Sequence, residues 1–272
     1  MTAVRDARDD QAAAVDDLLS RAGFGPSVGR LIAFPRTSPH GDVLVAEDDG
    51  RLLGGVCCAS FGPTGWIGAL GVAPEARRQG LGTALTEAAC ARLHERGAQT
   101  VLLFATDLGR PVYERLGFEA EGNATAWRGS AGTARAGVSL RRLREADRPA
   151  VLRLDREATG ERREAVLDAI SPLGGLLVER AGEPVGWAAA SPWGAGVAIC
   201  ARDPEAGVTL LAAAAGSPQA ATVVVPDANA AAVEALQGWR FSPSAGGERM
   251  RLGPPVAWRP EMQFGLFNLF WG

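Results

Sequence analysis

The chain repeats itself weakly at a spacing of about half its length, and this repeat constrains the fold more than any single motif does. The first copy has Val-Ala-Glu at 45–47 followed by an apolar run at 50–61. The second copy has Leu-Val-Glu at 177–179 followed by a similar run at 182–193. Each copy is typical of a strand, a tight turn and a second strand. The two hairpins therefore mark equivalent positions in the two halves.

Two further matches occur in the same order along the chain. Pro-Glu-Ala stands at 74–76 and again at 204–206. Each half also opens with an amphipathic helix pattern rich in Arg and Asp, at 10–19 and at 147–155. Four ordered matches favour two related domains over a single one. The small, polar stretch at 129–137 is the expected join.

This join predicts one domain over 1–130 and a second over 138–272. Within the first domain, strand and helix patterns alternate, and Gly97 ends the longest helix. The apolar run at 100–105 is typical of a strand buried in a sheet. The predicted elements are a helix over 10–19, an irregular stretch over 21–42, a hairpin over 43–61, a strand over 66–72, a helix over 83–96, a strand over 100–105 and a short helix from Pro111 to Gly117.

Composition and charge exclude several classes of protein. Of 272 residues, 47% are hydrophobic and 22% are charged, which suits one large or two ordinary globular domains. The net charge of −3 argues against a nucleic-acid or anionic-membrane partner. No apolar run is long enough to span a bilayer, and the charged N-terminus lacks the apolar core of a secretory signal. The expected location is therefore the cytoplasm.

The cysteines and histidines offer little for a metal site. Cys57 and Cys58 are adjacent, no Cys-x-x-Cys pair occurs, and the histidines are limited to His40 and His94. Buried, small apolar side chains are the better interpretation of the cysteines. We therefore predict that the protein holds no metal.

The chemistry of the first half centres on the loop at 77–83, which joins a strand to a helix. Backbone N–H groups at the start of a helix are unpaired, and the helix dipole favours an anion there. Gly80 and Gly82 would let a pyrophosphate approach the backbone closely, and Arg77 and Arg78 would add charge-assisted hydrogen bonds. The glycine pattern differs from those of the Rossmann and Walker nucleotide loops.

This loop, Arg77-x-x-Gly80-x-Gly82, resembles the Arg/Gln-x-x-Gly-x-Gly/Ala signature of the GNAT superfamily of acyl-CoA-dependent N-acyltransferases. Tyr113, five residues before Phe118 in Tyr-Glu-Arg-Leu-Gly-Phe, resembles the second hallmark of that family. The resemblance covers roughly residues 3–128 and implies a mixed α/β sheet flanked by helices, in two tandem copies. It also implies acetyl-CoA as co-substrate. By this likeness the cofactor-binding residues are Leu70, Gly71, Val72, Arg77, Arg78, Gln79, Gly80, Leu81, Gly82, Thr83 and Thr106.

Tyr113 is the only tyrosine of the chain, and the resemblance makes it the general acid. A phenol with a pKa near ~10 stays protonated at neutral pH and can pass its proton to a departing thiolate. The alternative is that Tyr113 only packs in the core. The family often has an asparagine seven residues before this tyrosine, whereas this chain has Thr106, which also forms hydrogen bonds.

The general base is not identified by sequence. His40, Glu47, Asp107 and Glu114 are candidates by residue type only, and Glu47 is expected to be a solvated carboxylate beside a hairpin turn. Water could also carry the proton away from the amine.

The second half has lost the features that would bind CoA. Aligning Pro204 with Pro74 places Leu210 at Gly80 and Ala212 at Gly82. The same alignment replaces both loop arginines, by Gly207 and Val208, and Leu236 stands where the phenol would be. We therefore expect a degenerate GNAT-like domain that does not bind CoA. The aromatic run at 262–272 is expected to pack into a core, or less commonly to line a substrate channel.

These observations predict an acetyl-CoA-dependent N-acetyltransferase that moves an acetyl group to a primary amine of a small molecule or peptide. One alternative is a module that binds acyl-CoA without catalysis, as a sensor or regulator. Another is a structural pair of α/β domains without CoA. The acceptor amine is not specified by the sequence, and a homodimer is left open.

Overall fold

A computed structural model describes residues 3–130, 139–170, 174–193, 196–216 and 221–272. The chain forms two compact units. The first unit comprises Met1–Glu121 together with Arg249–Pro255 and Trp271, and the second comprises the remaining residues. The join expected at 129–137 lies mostly outside the described residues, so the predicted domain limits stay a prediction. Sequence patterning did not assign Arg249–Pro255 to the first unit, because this assignment depends on pairing between distant parts of the chain.

The first unit is built on a mixed sheet, as predicted. Its neighbouring strands are antiparallel except for the fourth and fifth, which are parallel. In spatial order the strands are β1 Val4–Asp6, β2 Gly41–Asp48, β3 Arg51–Phe61, β4 Thr64–Val72 and β5 Thr100–Ala105.

Five helices are described in the first unit. They are α1 Ala12–Leu19, α2 Val28–Leu31, α3 Ala33–Thr37, α4 Leu81–Glu95 and α5 Arg110–Arg115. The longest of them, α4, buries Leu85 and Leu93 against Val101 and Leu103 of β5. This packing stabilises the helix mainly through its apolar face. The stretch at 21–42, which sequence patterning leaves irregular, contains two of the short helices.

The second unit contains a five-stranded antiparallel sheet, in the order β13-β10-β9-β8-β7. Two further strands, β11 and β6, pair with each other antiparallel. The strands from β6 onward are β6 Glu119–Gly129, β7 Leu140–Arg142, β8 Leu176–Arg180, β9 Glu183–Ala190, β10 Val197–Ala201, β11 Ala221–Pro226, β12 Ser242–Leu252 and β13 Gln263–Gly265. The helices are α6 Arg148–Thr159, α7 Glu164–Ile170, α8 Pro204–Ala215 and α9 Ala230–Gly238.

No helix in the described part of the chain combines the length and the apolar character that crossing a bilayer requires. The same residues contain no group of three His, Cys, Asp or Glu side chains arranged to hold a metal ion.

A buried ion pair fixes the segment Arg249–Pro255 in the first unit. The guanidinium of Arg249 is 2% exposed, pairs with Glu121 and lies 5.5 Å from the ring centroid of Trp66. Burial, with a smaller contribution from the positive charge of Arg251, lowers the pKa of Arg249 to about 9, which still leaves the group protonated at neutral pH. Glu121 also accepts a hydrogen bond of 3.0 Å from Arg251. Thr100 completes the attachment by donating its hydroxyl to Pro254 O at 2.8 Å.

We predict that Glu121→Gln lowers the free energy of unfolding by about 3–5 kcal/mol, because it removes the negative charge that faces the buried Arg249 guanidinium. The matched control is Glu119→Gln, since Glu119 pairs with Arg251 through a side chain that is 70% exposed. Exposed pairs contribute only about 0–1 kcal/mol. Urea unfolding of the two variants measures the difference, and equal losses would contradict a buried role for Arg249.

Candidate active site

The central feature of the first unit is the point at which β4 and β5 separate. The two strands pair in parallel only from Thr64 to Ile67 of β4. Just beyond, Ala69 has a left-handed φ of +51°, and the register with β3 shifts. Such a bulge bends a strand and increases its twist. The end of β4, Leu70–Val72, therefore has no partner on the β5 side among the described strands.

The loop after β4 presents a row of unpaired donors. Gly80 has a φ of +82° and lies immediately before α4, a conformation that glycine adopts without a steric penalty. The backbone N–H groups from Arg78 to Thr83 make no hydrogen bond to any other described residue. Since the helix dipole adds a partial positive charge at this end of α4, the loop could hold an anion such as a diphosphate.

The two arginines of the loop are used differently. The Arg77 guanidinium donates from Nε to Val72 O at 3.2 Å and from Nη2 to Ala22 O at 3.1 Å. Arg78 is exposed, has a φ of +62° and makes no hydrogen bond with a described residue. Its side chain is therefore available to an anion at the loop, whereas that of Arg77 is occupied by two main-chain carbonyls. The Gln79 side chain is directed back to Glu75 O at 3.4 Å.

Tyr113 lies on α5, which begins beside the N-terminus of α4. The two helix starts are close to each other: a Cβ built on Gly82 of α4 would lie 3.9 Å from Cγ2 of Val112 on α5. The Tyr113 side chain is 7% exposed and belongs to the main apolar cluster of the unit. Its ring meets that of Phe118 edge-on, with 5.7 Å between centroids. The structure thus places the start of α5 next to the loop and buries the Tyr113 ring in the core.

Burial strongly raises the pKa of the Tyr113 phenol, with a smaller contribution from the nearby Cys90 thiol. Removal of solvent disfavours the phenolate, so the proton is retained well above neutral pH. A group in this state can donate a proton but cannot serve as a base.

Other residues named from the sequence have local structural tasks. Thr106 is exposed at the end of β5, and its hydroxyl accepts a hydrogen bond of 3.3 Å from Gly109 N–H at the start of the turn into α5. Glu114 pairs with Arg110 at 2.8 Å. Glu47 pairs with Arg5 and accepts a 2.8 Å hydrogen bond from Gln11, which is the main cause of its lowered pKa. The expectation that Glu47 is a solvated carboxylate was therefore wrong, and it is a poor base.

The second unit has no counterpart of the loop at 77–83 among its described residues, because its helix α8 begins earlier. Pro204 aligns with Pro74, yet α8 starts at Pro204 itself, while α4 starts seven residues after Pro74. Asp203 caps α8 by accepting a 2.9 Å hydrogen bond from Ala206 N–H. Arg180 pairs with Asp203 at 3.0 Å. The donors at this helix start are thus already paired or lie within regular helix.

Strand β13 lies between β10 and β11. These two strands are followed in the chain by α8 and α9, just as β4 and β5 of the first unit are followed by α4 and α5. Strand β13 pairs with β10 in antiparallel register, and Leu266 N–H donates to Val224 O of β11 at 2.8 Å. The Phe264 ring covers Gly207 of α8, where an added Cβ would lie 2.3 Å from it. The expectation that the aromatic run packs into a core holds for the residues buried here, which include Met262, Phe264, Leu266 and Phe267.

Asn229 holds this strand in place. Its side chain is nearly fully buried, accepts a hydrogen bond of 3.0 Å from Ala232 N–H and donates to Gln263 O at 2.9 Å. In this unit the Asn229 amide therefore binds the chain itself. No signal in the 263–266 segment alone would have shown this, because its partners lie more than 30 residues away.

We predict that native protein shows no tyrosinate absorbance up to about pH 11, whereas the guanidinium-unfolded chain titrates near ~10. Since Tyr113 is the only tyrosine, ultraviolet titration reports this group alone. The raised folded-state pKa means that the unfolded chain loses its proton first, so stability falls as the pH rises above about 10. A native midpoint near 10 would show that the hydroxyl is fully solvated.

We also predict that Gly207→Ala lowers the free energy of unfolding by about 1–3 kcal/mol, because the new methyl meets the Phe264 ring. Gly238 of α9 is the matched control, since an added Cβ there meets nothing within 4 Å. Gly238→Ala should be neutral or stabilise by up to about 1 kcal/mol through helix propensity. Denaturant unfolding distinguishes them, and a stabilising Gly207→Ala would show that Phe264 does not rest on α8.

Two family models match the chain, one in each half. An "Acetyltransferase (GNAT) family" model matches residues 13–118, and an "Acetyltransferase (GNAT) domain" model matches residues 151–265. Comparison with curated proteins gives no match.

Solved structures of the same fold cover the whole chain or nearly all of it. A protein of Pyrococcus horikoshii described as a candidate acetyltransferase has a TM-score of 0.84 and 21% identity, over 100% of this chain and 96% of its own. A GCN5-related N-acetyltransferase of Sphaerobacter thermophilus has a TM-score of 0.67 and 16% identity, over 93% and 96%. One from Kribbella flavida has a TM-score of 0.57 and 18% identity, over 93% and 72%. With both halves matched, the chain is an acyltransferase of the GNAT superfamily with two GNAT domains in tandem.

Proposed function

We propose that the first unit is an acetyl-CoA-dependent N-acetyltransferase whose acceptor is a primary amine of a small molecule or peptide. The observation that supports this proposal is that three features of the first unit lie close together. The unpaired donors of the loop at 78–83 lie beside the open end of β4, and α5, which carries Tyr113, begins next to them. The family membership supports the reaction type.

The residues of this unit fit the proposed co-substrate. The N–H groups from Arg78 to Thr83 would hold its diphosphate, and the exposed Arg78 side chain would add a charge-assisted hydrogen bond. Gly82 leaves the approach open, because a Cβ there would meet no atom nearer than 3.9 Å. The unpaired end of β4, Leu70–Val72, would hydrogen-bond the amide-bearing arm as a neighbouring strand would. When bound, acetyl-CoA supplies an acetyl thioester.

Tyr113 then acts as the general acid. Because burial keeps its phenol protonated, the hydroxyl has a proton to share with a thiolate leaving group when an amine takes the acetyl group. The bulge at Ala69 leaves main-chain N–H groups of Leu70–Val72 near the same opening, where they would stabilise an oxyanion. Removal of the amine proton is assigned to water, since Glu47 and Glu114 are held in ion pairs.

The second unit is proposed to bind no CoA. Its equivalent of the loop is helical, and strand β13 occupies the place between β10 and β11. The expected stoichiometry is therefore one CoA per chain. The location in the cytoplasm, the absence of nucleic-acid and membrane partners, the absence of a metal and a homodimeric assembly stay predictions.

We predict that calorimetric titration with CoA gives one site per chain, and that Tyr113→Phe lowers kcat roughly 100-fold to 10,000-fold on a responsive amine while the CoA affinity stays within about twofold. The phenyl ring of the variant keeps the packing against Phe118, and only the hydroxyl group is lost. CoA release with a panel of amines measures turnover. Unchanged turnover would exclude Tyr113 as the acid, and binding without turnover on any amine would favour the alternative of a non-catalytic acyl-CoA-binding module.

Two glycine variants test the binding site separately from the chemistry. Gly80 and Gly182 share a φ of +82°, and an added Cβ meets nothing within 4 Å at either, so Ala imposes equal backbone strain at both. Gly80→Ala should weaken CoA binding at least about tenfold, because it distorts the loop. Gly182→Ala, in a hairpin turn of the second unit, should leave it unchanged. Wild-type protein that shows neither heat nor thermal stabilisation with CoA would exclude the proposed function.

A further inference from the structure

Arg77, the first residue of the loop at 77–83, is hydrogen-bonded to a segment far away in sequence. Its guanidinium donates to Val72 O and, 55 residues away, to Ala22 O. Ala22 belongs to Ser20–Phe24, a wide helical turn that continues α1 and that we call the α1 extension. Within the extension Gly23 has a φ of +124°, and Gly25 follows with a φ of +78°. Two glycines with positive φ thus follow Ala22, the residue whose carbonyl accepts from Arg77.

The α1 extension packs on the open end of β4. A Cβ added to Gly71 would lie 2.8 Å from Ala22 Cβ, 2.9 Å from Leu19 Cδ2 and 3.5 Å from the Phe24 ring. Only glycine allows this close approach. Leu70 and Val72, on either side, pack instead in the cluster with α4. The extension therefore covers the face of β4 opposite α4, at the residues proposed to hold the thioester arm.

A second connection runs through charges. Arg21 of the extension pairs with Asp17 at 2.9 Å and lies 3.9 Å from Glu75, at the start of the loop. Glu75 also pairs with Arg51. These side chains are exposed, so each pair is weak. The two hydrogen bonds from Arg77, also at the surface, are the direct link, because one side chain meets main-chain carbonyls of both segments.

We infer that Arg77 is a positioning residue that couples the two sides of the site, so that an anion bound by the loop at 78–83 also orders the α1 extension. Without an anion, the donors of the loop have only solvent to bind. A bound diphosphate fixes the loop, and with it the adjacent Arg77 and the carbonyl of Ala22. Once the loop is ordered by the anion, less conformational entropy is lost when the α1 extension becomes ordered as well. The α1 extension lies on the strand end proposed to hold the thioester arm, and so beside the acetyl group that an amine would attack. The inference rests on the proposed function.

Hydrogen exchange tests this coupling without knowledge of the acceptor. In wild-type protein saturated with CoA, amides of the loop at 78–83 and of the extension at 20–25 should both exchange about tenfold more slowly than without it. In Arg77→Met, which keeps the length of the side chain but removes its donors, protection of the loop should persist while that of the extension is lost. The matched control, Arg78→Met, should weaken CoA binding but retain both protections at saturation.

A second variant guards against a folding defect in Arg77→Met. Gly71→Ala displaces the extension through the new methyl but leaves Arg77 intact, and it should also uncouple the extension from the loop. Wild-type protection confined to the loop, or protection of the extension in Arg77→Met equal to wild type, would overturn the inference and leave the proposed function standing. Absence of protection anywhere would overturn both. With a responsive amine, Arg77→Met should raise KM for the amine roughly tenfold, with the CoA affinity within about twofold.

Discussion

The separation of β4 from β5 is the feature on which the candidate site depends. A parallel pair that continued to Val72 would satisfy its own backbone groups and leave no opening. The left-handed Ala69 and the register shift against β3 end the pairing after Ile67. The strand then delivers its unpaired end and the following loop to the same place. Strain of this kind persists only where the surrounding structure holds it, and here the glycine-mediated packing at Gly71 supplies that support.

The two units solve the problem of an open strand end in different ways. In the second unit the gap between β10 and β11 receives β13, so the backbone groups are paired by the chain itself. The early start of α8 and the carboxylate cap of Asp203 remove the free donors at its helix start. Backbone groups that are already hydrogen-bonded within the chain bind a ligand poorly, because the ligand would first have to break those hydrogen bonds. The same fold thus gives an open cleft in one half and a filled one in the other.

Local patterns predicted much of the first unit. The hairpin, the strand at 100–105 and the helix predicted over 83–96 follow from residues that are neighbours in sequence, and the structure confirms them within a few residues. The family resemblance directed attention to Tyr113, and its role as the general acid stays a proposal. The bulge at Ala69, the seat of β13 and the inclusion of Arg249–Pro255 in the first unit could not be predicted, because each depends on pairing between distant segments.

Arg77 and Arg78 show why a motif alone does not assign roles. Both are arginines in one loop, and charge considerations treat them alike. Arg78 has a left-handed φ of +62°, and both side chains are exposed. Only Arg77 reaches back to Val72 and Ala22. The Arg78 side chain is then available to a ligand, whereas the Arg77 side chain is committed to the main-chain carbonyls of Val72 and Ala22. A change at Arg77 therefore acts on the ligand only through the segments it holds, which is a different effect from losing a charge at the phosphate.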